Sequence, residues 1–369
     1  FPELTAGKRT IAVAGTHGKT TTTAMIAAIL ANAGLDPEVI VGGIVPEVGG
    51  NARAGHGEYF VIEADEYDRA FLGLRPAIAV VTSIEMDHPD IYRDVDDVTR
   101  AFREFMRLAP REGAVIGCGD AETVSRELRG IRETRVVRYG FNADNDWRAS
   151  DVVPNARGGS DFVAWRGAEE IRDWGLGIPG THNVLNALAA IAVADTVGVD
   201  LASVRATLRN FRGAARRFEI KGEFRGVTVV DDYAHHPTEI RATLAAARTR
   251  FPQRNIWAVF QPHTFTRTLA LLDEFANAFV DADHVIVTEI YAARERASRG
   301  VSGAQVVNRM KHPDARFIAS LDATTEFLLA HLDPGDILIT LGAGDVNHVG
   351  ERVRSGVLSD SRGTRERGE

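Results

Sequence analysis

The sequence lacks cysteine pairs, long apolar runs and blocks of positive charge. Cys118 is the only cysteine among 369 residues, so an internal disulfide is impossible and a reducing cytoplasm is the expected compartment. No apolar run approaches the roughly 18 residues that a membrane-spanning helix needs. The first residues, FPELTAGKRT, lack the apolar segment of a signal peptide. We therefore expect no membrane partner.

The charge of the sequence argues against a nucleic-acid-binding protein. The formal net charge is −8 and no lysine- or arginine-rich block is present, which argues against a nucleic-acid partner. The hydrophobic fraction of 44% and the charged fraction of 25% are ordinary for a globular protein. A chain of this length predicts two or three domains.

Strand-like and helix-like runs alternate in the first two-thirds of the chain. RTIAVAG is a short β-rich run that Gly15 closes, and Thr20 to Asn32 carries apolar residues at helical spacing. YFVIEAD and AIAVVTS are near-continuous apolar runs, as expected for strands that are buried on both faces. GAVIG and TRVVRYG are the next strand-like runs. Single helices between strands predict a parallel sheet.

The pattern changes twice further along. Residues 142–165 are polar and glycine-rich with short β-like pieces, which predicts a small antiparallel insertion, and residues 181–198 predict a helix. From about residue 213 the alternation restarts, with predicted helices at 238–248 and 268–279 and strands in GVTVVDD, NIWAVFQ, DHVIVTE, ARFIA and DILITLG. We predict a central domain at 1–212, a Rossmann-like α/β domain at 213–355 and a disordered tail at 356–369.

The loop between the first strand and the first helix predicts a phosphate site. It reads Gly15-Thr16-His17-Gly18-Lys19-Thr20, and a helix N-terminus there would point backbone N–H groups at an anion. The lysine adds a positive charge, and the Thr20 hydroxyl suits Mg²⁺. Val13 stands where the common P-loop has its first glycine, so this is a shorter form. The alternative is a glycine turn with a surface lysine.

Acidic residues and a histidine follow the next two apolar strands. EADEYD supplies Glu63 and Glu66, and SIEMDHP supplies Glu85, Asp87 and His88. Ligands of open α/β sheets bind at the carboxyl ends of the strands, and carboxylates beside a nucleotide suit Mg²⁺. The alternatives are a solvated acidic turn and a structural histidine.

Several later residues also lie where a ligand could bind. Asn183 and Asn186 open a helix, where a capping role is the ordinary interpretation. Arg217 lies just before the alternation restarts. Any one of the polar residues that follow the later strands could be structural, but together they place acid, histidine and arginine at one edge of a second sheet: Asp231, Asp232, His235, His236, His263, Arg267 and Glu295.

Taken in order, these motifs resemble the Mur ligase family. The motifs are GTHGKTT, EADE, the Asp-His loop, HN, RRFE and DDYAHHP, and the resemblance extends from about residue 9 to 353. It implies a P-loop-type ATPase domain with a parallel sheet and a small antiparallel insertion, followed by a Rossmann-like α/β domain. It also implies a cytoplasmic ligase of peptidoglycan precursor synthesis, active as a monomer or weak homodimer.

The resemblance extends to a reaction. FQPHTFTRT, EIYAARE and LGAGDVNHVGE resemble the family member that uses ATP and Mg²⁺ to add L-alanine to UDP-N-acetylmuramate through an acyl phosphate. A recycling ligase that attaches a whole peptide to the same sugar ranks second. An idle ATP-binding fragment and a folylpolyglutamate synthetase are the remaining alternatives.

The family motifs imply a role for each matching position. The residues matched to the nucleotide are Gly15, Thr16, His17, Gly18, Lys19, Thr20, Thr21, Asn183, Asn186, Arg217 and Asp232. Those matched to Mg²⁺ are Thr20, Glu63 and His88. Those matched to the muramoyl and alanine groups are Asp87, His235, His236, His263, Arg267 and Glu295. The residues expected to take part in catalysis are Lys19, His88, Arg217 and His235.

Members of the family also carry an N-terminal domain that holds the UDP group. No part of this sequence corresponds to that domain. Remote binding energy positions the reacting carboxylate of such a substrate. We therefore expect the chain as given to bind ATP and Mg²⁺ but to ligate poorly.

Overall fold

A computed structural model describes residue 5, residues 7–296 and residues 300–356. The chain forms two compact units, Phe1–Arg217 and Phe218–Glu369. The domain limits inferred from sequence stay predictions, and the expected tail lies outside the described residues except for Gly356. No described helix is long and apolar enough to cross a bilayer.

The first unit is built on a ten-stranded sheet of order β10-β9-β8-β7-β6-β5-β1-β4-β2-β3. The strands from β2 to β8 in this order pair in parallel, and β3, β9 and β10 join by antiparallel pairing. The strand bounds are β1 Arg9–Ala14, β2 Glu38–Val45, β3 Gly50–Arg53, β4 Tyr59–Glu63, β5 Ile78–Val81, β6 Ala114–Cys118, β7 Arg135–Gly140, β8 Trp147–Pro154, β9 Ser160–Arg166 and β10 Glu169–Leu176.

The predicted antiparallel insertion is present, but it extends the central sheet. Its first strand, β8, pairs in parallel with β7 through Tyr139 and Trp147, and β9 and β10 follow as antiparallel neighbours. The insertion is also longer than predicted, because β10 reaches Leu176. The charged residues of β10 hid this strand from a hydrophobic pattern, and charges of this kind protect a sheet edge.

Helices pack against both faces of this sheet, which is the usual arrangement for a parallel sheet. One core layer contains α1 and α4, and the other contains α2. The α1 side chains from Thr20 to Leu30 are all buried, and the small residues of TTTTA and of alanine-rich α4 allow close helix packing. The helix bounds are α1 Lys19–Asn32, α2 Val95–Met106, α3 Glu122–Leu128, α4 Thr181–Thr196 and α5 Leu201–Asn210.

The second unit is a six-stranded sheet of order β11-β12-β16-β13-β14-β15, with helices packed against it. All neighbours pair in parallel except β11 and β12. The strand bounds are β11 Glu219–Phe224, β12 Val227–Asp232, β13 Ile256–Phe260, β14 His284–Val287, β15 Ala315–Phe317 and β16 Ile337–Leu341. The helix bounds are α6 Pro237–Arg250, α7 Phe265–Ala270, α8 Leu272–Ala276, α9 Gly303–Arg309, α10 Leu321–His331 and α11 Asn347–Ser355.

The structure corrects the sequence reading of this unit at one helix. The helix predicted at 268–279 is two short helices, α7 and α8, which meet at Leu271, where φ is −115° and ψ is 27°. Three strands at or next to the edge of a sheet were also not predicted, two of them in the first unit. They are β2, which contains Gly42 and Gly43, the four-residue β3, and β11, whose polar EIKGEF gives no apolar run.

We expect the aromatic cluster under α2 to be a main source of stability in the first unit. Phe71 stacks on Phe105 with ring centroids 5.0 Å apart, and Phe105 is fully buried. Phe105→Ala should lower the free energy of unfolding by about 3–5 kcal/mol because it leaves a cavity. Val153→Ala, at a half-exposed site, should change it by less than about 0.5 kcal/mol.

Urea unfolding followed by tryptophan fluorescence would measure both variants. Trp147, Trp165 and Trp174 report on the first unit. Equal effects of the two substitutions would contradict the assignment of this cluster as a core.

Candidate active site

The phosphate loop connects the end of β1 to the start of α1, as the sequence predicted. Gly15 has φ +144° and Gly18 has φ +80°, which are conformations that favour glycine. A Cβ atom on Gly15 would lie 1.9 Å from Thr82 Oγ1, and one on Gly18 would lie 2.4 Å from Asn186 Oδ1. Both glycines are therefore required by backbone angle and by space. Since Gly18 has no side chain to cap α1, the first N–H groups of the helix are suited to an anion.

Lys19 is held inside this loop by a buried acidic partner. Its Nζ lies 2.8 Å from both carboxylate oxygens of Glu66 and donates to Gly15 O at 2.6 Å. Burial opposes the charge on Lys19. The attraction and hydrogen bond of Glu66, together with the charges of Glu63 and Asp65, outweigh burial, so the pKa of Lys19 lies above its ordinary value. Burial raises the pKa of Glu66 to about 7, and Lys19 limits that rise.

Thr20 and Glu63 meet where the metal was expected. Thr20 Oγ1 donates to Glu63 Oε1 at 2.9 Å, and the other carboxylate oxygen accepts a hydrogen bond from Gly42 N at 2.6 Å. A hydroxyl and a carboxylate are hard oxygen donors, and they suit Mg²⁺ beside a phosphate. A Cβ on Gly42 would lie 2.9 Å from the Glu63 carboxylate, so only glycine at position 42 leaves space for that carboxylate. The donor set fits the metal that the sequence implies.

His88 lies on the loop that follows β5, next to the buried pair. It has φ +52°, and its backbone N–H donates to Asp87 Oδ1 at 2.7 Å. His88 Nε2 lies 3.8 Å from Glu66 Oε1. Ligand atoms of Asp65, Glu66 and His88 lie within 4.8 Å of one another, which is a spacing that a metal ion could bridge. The structure therefore brings His88 to the phosphate loop.

The same loop after β5 is hydrogen-bonded to the phosphate loop at several points. Glu85 N donates to Thr16 Oγ1 at 2.9 Å, and His17 N donates to Ser83 Oγ at 3.0 Å. His17 Nε2 lies 3.3 Å from Glu85 Oε2, and Thr82 Oγ1 donates to His17 O at 2.5 Å. His17 and the hydroxyl of Thr16 therefore fix the shape of the loop.

Asn183 and Asn186 are buried in the first turns of α4, and Asn186 contacts α1. Asn186 Nδ2 donates to Asn183 Oδ1 at 3.1 Å, and Thr22 Oγ1 donates to Asn186 Oδ1 at 3.2 Å. Asn183 Nδ2 donates to Pro179 O at 2.6 Å. These contacts join α4 to the phosphate-loop helix. Thr21, the remaining predicted loop residue, is buried in the first turn of α1.

Arg217 is the last residue of the first unit. Its backbone N–H donates to Ala214 O at 3.1 Å, and its neighbour Arg216 has φ +57°. The segment before it is attached to β2 and to the turn after β2, because Ala215 N donates to Ile44 O at 2.8 Å and Arg212 N donates to Glu47 Oε1 at 2.7 Å.

In the second unit, the predicted acid Asp232 ends β12 and the predicted histidines follow it. Both carboxylate oxygens of Asp232 accept backbone hydrogen bonds at 2.8 Å, from Phe218 and from Ala234. His235 Nδ1 lies 3.0 Å from Tyr233 O. His236 caps α6, because its Nδ1 accepts from Thr238 N at 3.3 Å. His236 thus has a structural role, and its place at the substrate stays a prediction.

His263, Arg267 and Glu295 gather after β13 and β14. The rings of His235 and His263 lie 5.9 Å apart, and His263 stacks on Tyr291 at 5.7 Å. Buried Arg267 donates to His263 O at 2.9 Å. Burial and the charge of Arg267 lower the pKa of His263 to about 4, so the imidazole is neutral at pH 7.

Glu295 accepts hydrogen bonds from the loop that begins α7. The donors are Thr264 Oγ1 at 2.7 Å, and the backbone N–H and hydroxyl of Thr266. Burial opposes the charge, but these hydrogen bonds outweigh it and hold the pKa of Glu295 below its ordinary value. The structure therefore shows Glu295 holding a loop.

Two participants were missed by sequence reasoning. Glu66 was noticed as part of an acidic run, but nothing in the sequence indicated that it would be buried against Lys19. Gly42 lies in a strand that was not predicted, and its role depends on how close β2 comes to β4. The paired glycines in VGGIV were the only signal, and glycine in a strand marks a bulge or a close approach.

Comparison with known proteins agrees with this geometry. Residues 13–194 match the Mur ligase middle domain and residues 216–344 match the Mur ligase, glutamate ligase domain. The UDP-N-acetylmuramate–L-alanine ligase of Caldanaerobacter subterraneus is 44% identical over 344 residues, which are 93% of this chain and 74% of that protein. The chain belongs to the Mur ligase family.

Solved structures resemble this one over most of its length. The UDP-N-acetylmuramate-alanine ligase MurC of Thermotoga maritima has a TM-score of 0.79 and 30% identity, covering 95% of this chain and 75% of that one. A murein peptide ligase from Psychrobacter arcticus has a TM-score of 0.69 and 27% identity, covering 95% and 77%. The predicted fold class is confirmed.

The environment of His263 predicts a measurable titration. We expect an NMR midpoint of about 4, well below the ordinary 6.5. Because the unfolded chain would bind more protons between these values, this residue should reduce the free energy of unfolding as the pH falls from 6.5 to about 4. Arg267→Met should raise the His263 midpoint by removing a nearby positive charge. A midpoint near 6.5 in the unsubstituted protein would contradict this account.

Proposed function

We propose that this chain catalyses the ATP-dependent ligation of L-alanine to UDP-N-acetylmuramate. The observation that carries the proposal is the phosphate loop, in which Lys19 is charged and fixed beside the Thr20–Glu63 pair. The relatives described above supply the substrate assignment, since a phosphate loop alone does not indicate which acid is activated. The reaction would serve peptidoglycan precursor synthesis in the cytoplasm, and we propose that the enzyme is a monomer or weak homodimer.

The chemistry follows from the weakness of a carboxylate as an acyl donor. The lactyl carboxylate of the sugar attacks the γ-phosphorus of ATP, the bond to the β-phosphate oxygen breaks, and ADP leaves. The amine of L-alanine then adds to the acyl phosphate, loses a proton and expels inorganic phosphate, which leaves an amide. The products are ADP, phosphate and UDP-N-acetylmuramoyl-L-alanine.

In this proposal the phosphate loop holds the β- and γ-phosphates. The charge of Lys19 and the N–H groups at the start of α1 stabilise the transferring phosphoryl group by position and electrostatics. Thr20 and Glu63 would hold one Mg²⁺ and His88 would serve a second. Bound Mg²⁺ neutralises charge on the phosphate oxygens and orients them for transfer. Arg217 would reach the γ-phosphate.

The remaining predicted residues complete the proposed site. Asn183 and Asn186 would lie near the adenine, and Asp232 would bind the ribose. His263 and Arg267 would face the muramoyl and alanine groups. Three further predicted residues share that assignment: His235, His236 and Glu295.

A base must accept the ammonium proton of alanine. Asp87, His88 and His235 all remain candidates for that step. A candidate base has to reach the proton that it removes, either directly or through one water.

The ATP site can be tested through Lys19. Lys19→Ala should reduce phosphate release by at least about a thousandfold, because it removes the charge that faces the transferring group. It also leaves Glu66 buried without its cation, and Glu66 should then take up a proton. The double variant Lys19→Met with Glu66→Gln should therefore be closer to the wild type in thermal stability than Lys19→Ala is, while remaining inactive.

Coupled phosphate-release assays and thermal denaturation would separate the two roles of Lys19. Arg166→Gln, on the insertion strand β9, is a matched control because it removes a cation that pairs with Glu169 away from the loop. Near-wild-type turnover by Lys19→Ala would show that the phosphate-loop assignment is wrong.

The amino-acid substrate distinguishes the proposal from its main rival. Supplied with UDP-N-acetylmuramate and ATP, the enzyme should ligate L-alanine in preference to L-Ala-γ-D-Glu-meso-diaminopimelate. Product formation by mass spectrometry, with each acceptor at equal concentration, would measure the preference as a ratio of kcat/KM values. A preference for the tripeptide would replace this proposal with the recycling ligase, and ATP binding without either product would support an idle fragment.

A further inference from the structure

Strand β2 contacts both the expected metal site and the segment that carries Arg217. It pairs in parallel with β4 only from Glu38 to Ile40, and its pairing with β3 is irregular between Ile40 and Val45. The residues in between, Val41 to Ile44, form a projecting stretch that we call the β2 overhang. Its sequence, VGGI, includes two adjacent glycines.

One end of the β2 overhang fixes the carboxylate of Glu63. Gly42 N donates to Glu63 Oε2 at 2.6 Å, while Thr20 Oγ1 donates to the other oxygen. A metal bound by Thr20 and Glu63 Oε1 would leave the Gly42 hydrogen bond in place. The backbone of Gly42 therefore sets the direction in which this carboxylate points.

The other end of the β2 overhang holds the segment before Arg217. Ile44 O accepts from Ala215 N at 2.8 Å. Between the two ends, a Cβ on Gly43 would lie 3.1 Å from Thr20 Cγ2 and 3.8 Å from Ala214 Cβ. Gly42 and Ile44 of one strand thus hydrogen-bond to Glu63 and Ala215, and Gly43 between them leaves room for Thr20 and Ala214.

We propose that the β2 overhang is a positioning element that couples metal binding at Glu63 to the placement of residues 212–217. An extended strand held at both ends transmits a small displacement of the carboxylate to Ala215, two residues before Arg217. Gly42 and Gly43 are the positioning residues, because any side chain there would move Glu63 or Thr20. This inference rests on the proposed function, since it takes Glu63 as the metal ligand.

Hydrogen exchange on the whole chain tests the coupling without measuring ligation. In the wild type, ADP with Mg²⁺ should slow exchange of the peptide that covers residues 210–218 by about tenfold, and ADP without Mg²⁺ should not. Gly42→Ala should lose this metal-dependent slowing, because its Cβ displaces the Glu63 carboxylate. Gly73→Ala is the matched control: its Cβ would meet nothing within 4 Å, and it should behave as the wild type.

A second variant acts at the opposite end of the β2 overhang. Ala215→Pro removes the N–H that donates to Ile44 O and leaves Glu63 untouched. Calorimetry should show that it binds ADP with the wild-type dependence on Mg²⁺. It should still lose the slowing of exchange in the peptide that covers residues 210–218. This variant decides the question if Gly42→Ala does not fold.

The outcomes separate this inference from the proposed function. Slowing of exchange equal to that of the wild type in either folded variant would overturn the coupling. So would wild-type protein that binds ADP and Mg²⁺ with no change in exchange of the peptide that covers residues 210–218. A wild-type chain that does not bind ADP in the presence of Mg²⁺ would count against the proposed function itself.

Discussion

The buried ion pair between Lys19 and Glu66 is the interaction on which the phosphate loop depends. A lysine that is to face phosphates must be charged and fixed before they arrive, yet burial disfavours the charge. Glu66 resolves this conflict by lying 2.8 Å from the ammonium group. The pair joins the start of α1 to the segment just beyond β4, so loop, helix and strand are constrained together.

The surrounding hydrogen bonds extend that constraint to the neighbouring strands. The loop after β5 holds the phosphate loop through Thr16 and His17 and carries Asp87 and His88 to its side. Glu63, at the end of β4, is held by Gly42 from β2. Because parallel strands bring their carboxyl ends to one edge, three loops that are distant in sequence form one hydrogen-bonded group. Such preorganisation is what phosphoryl transfer demands of a protein.

Much of the fold follows from sequence patterns. Near-continuous apolar runs in β4, β5, β13 and β16 indicated buried parallel strands, and the Gly-Lys-Thr loop located the phosphate site. Strands β3 and β11 were missed because they have no hydrophobic pattern, and β2 was missed because Gly42 and Gly43 interrupt its apolar run. The single helix expected at 268–279 was wrong because apolar spacing continues through Leu271, where the backbone turns.

The sequence by itself determined which chemical groups are available and which edge of the sheet they follow, because motif order and strand ends are local properties. Only the tertiary structure decided which groups meet. Glu66, rather than its neighbour Asp65, is buried against Lys19, and Gly42 reaches Glu63 from a strand 21 residues away in sequence. Partner choice of this kind depends on packing between distant segments, which no local pattern encodes.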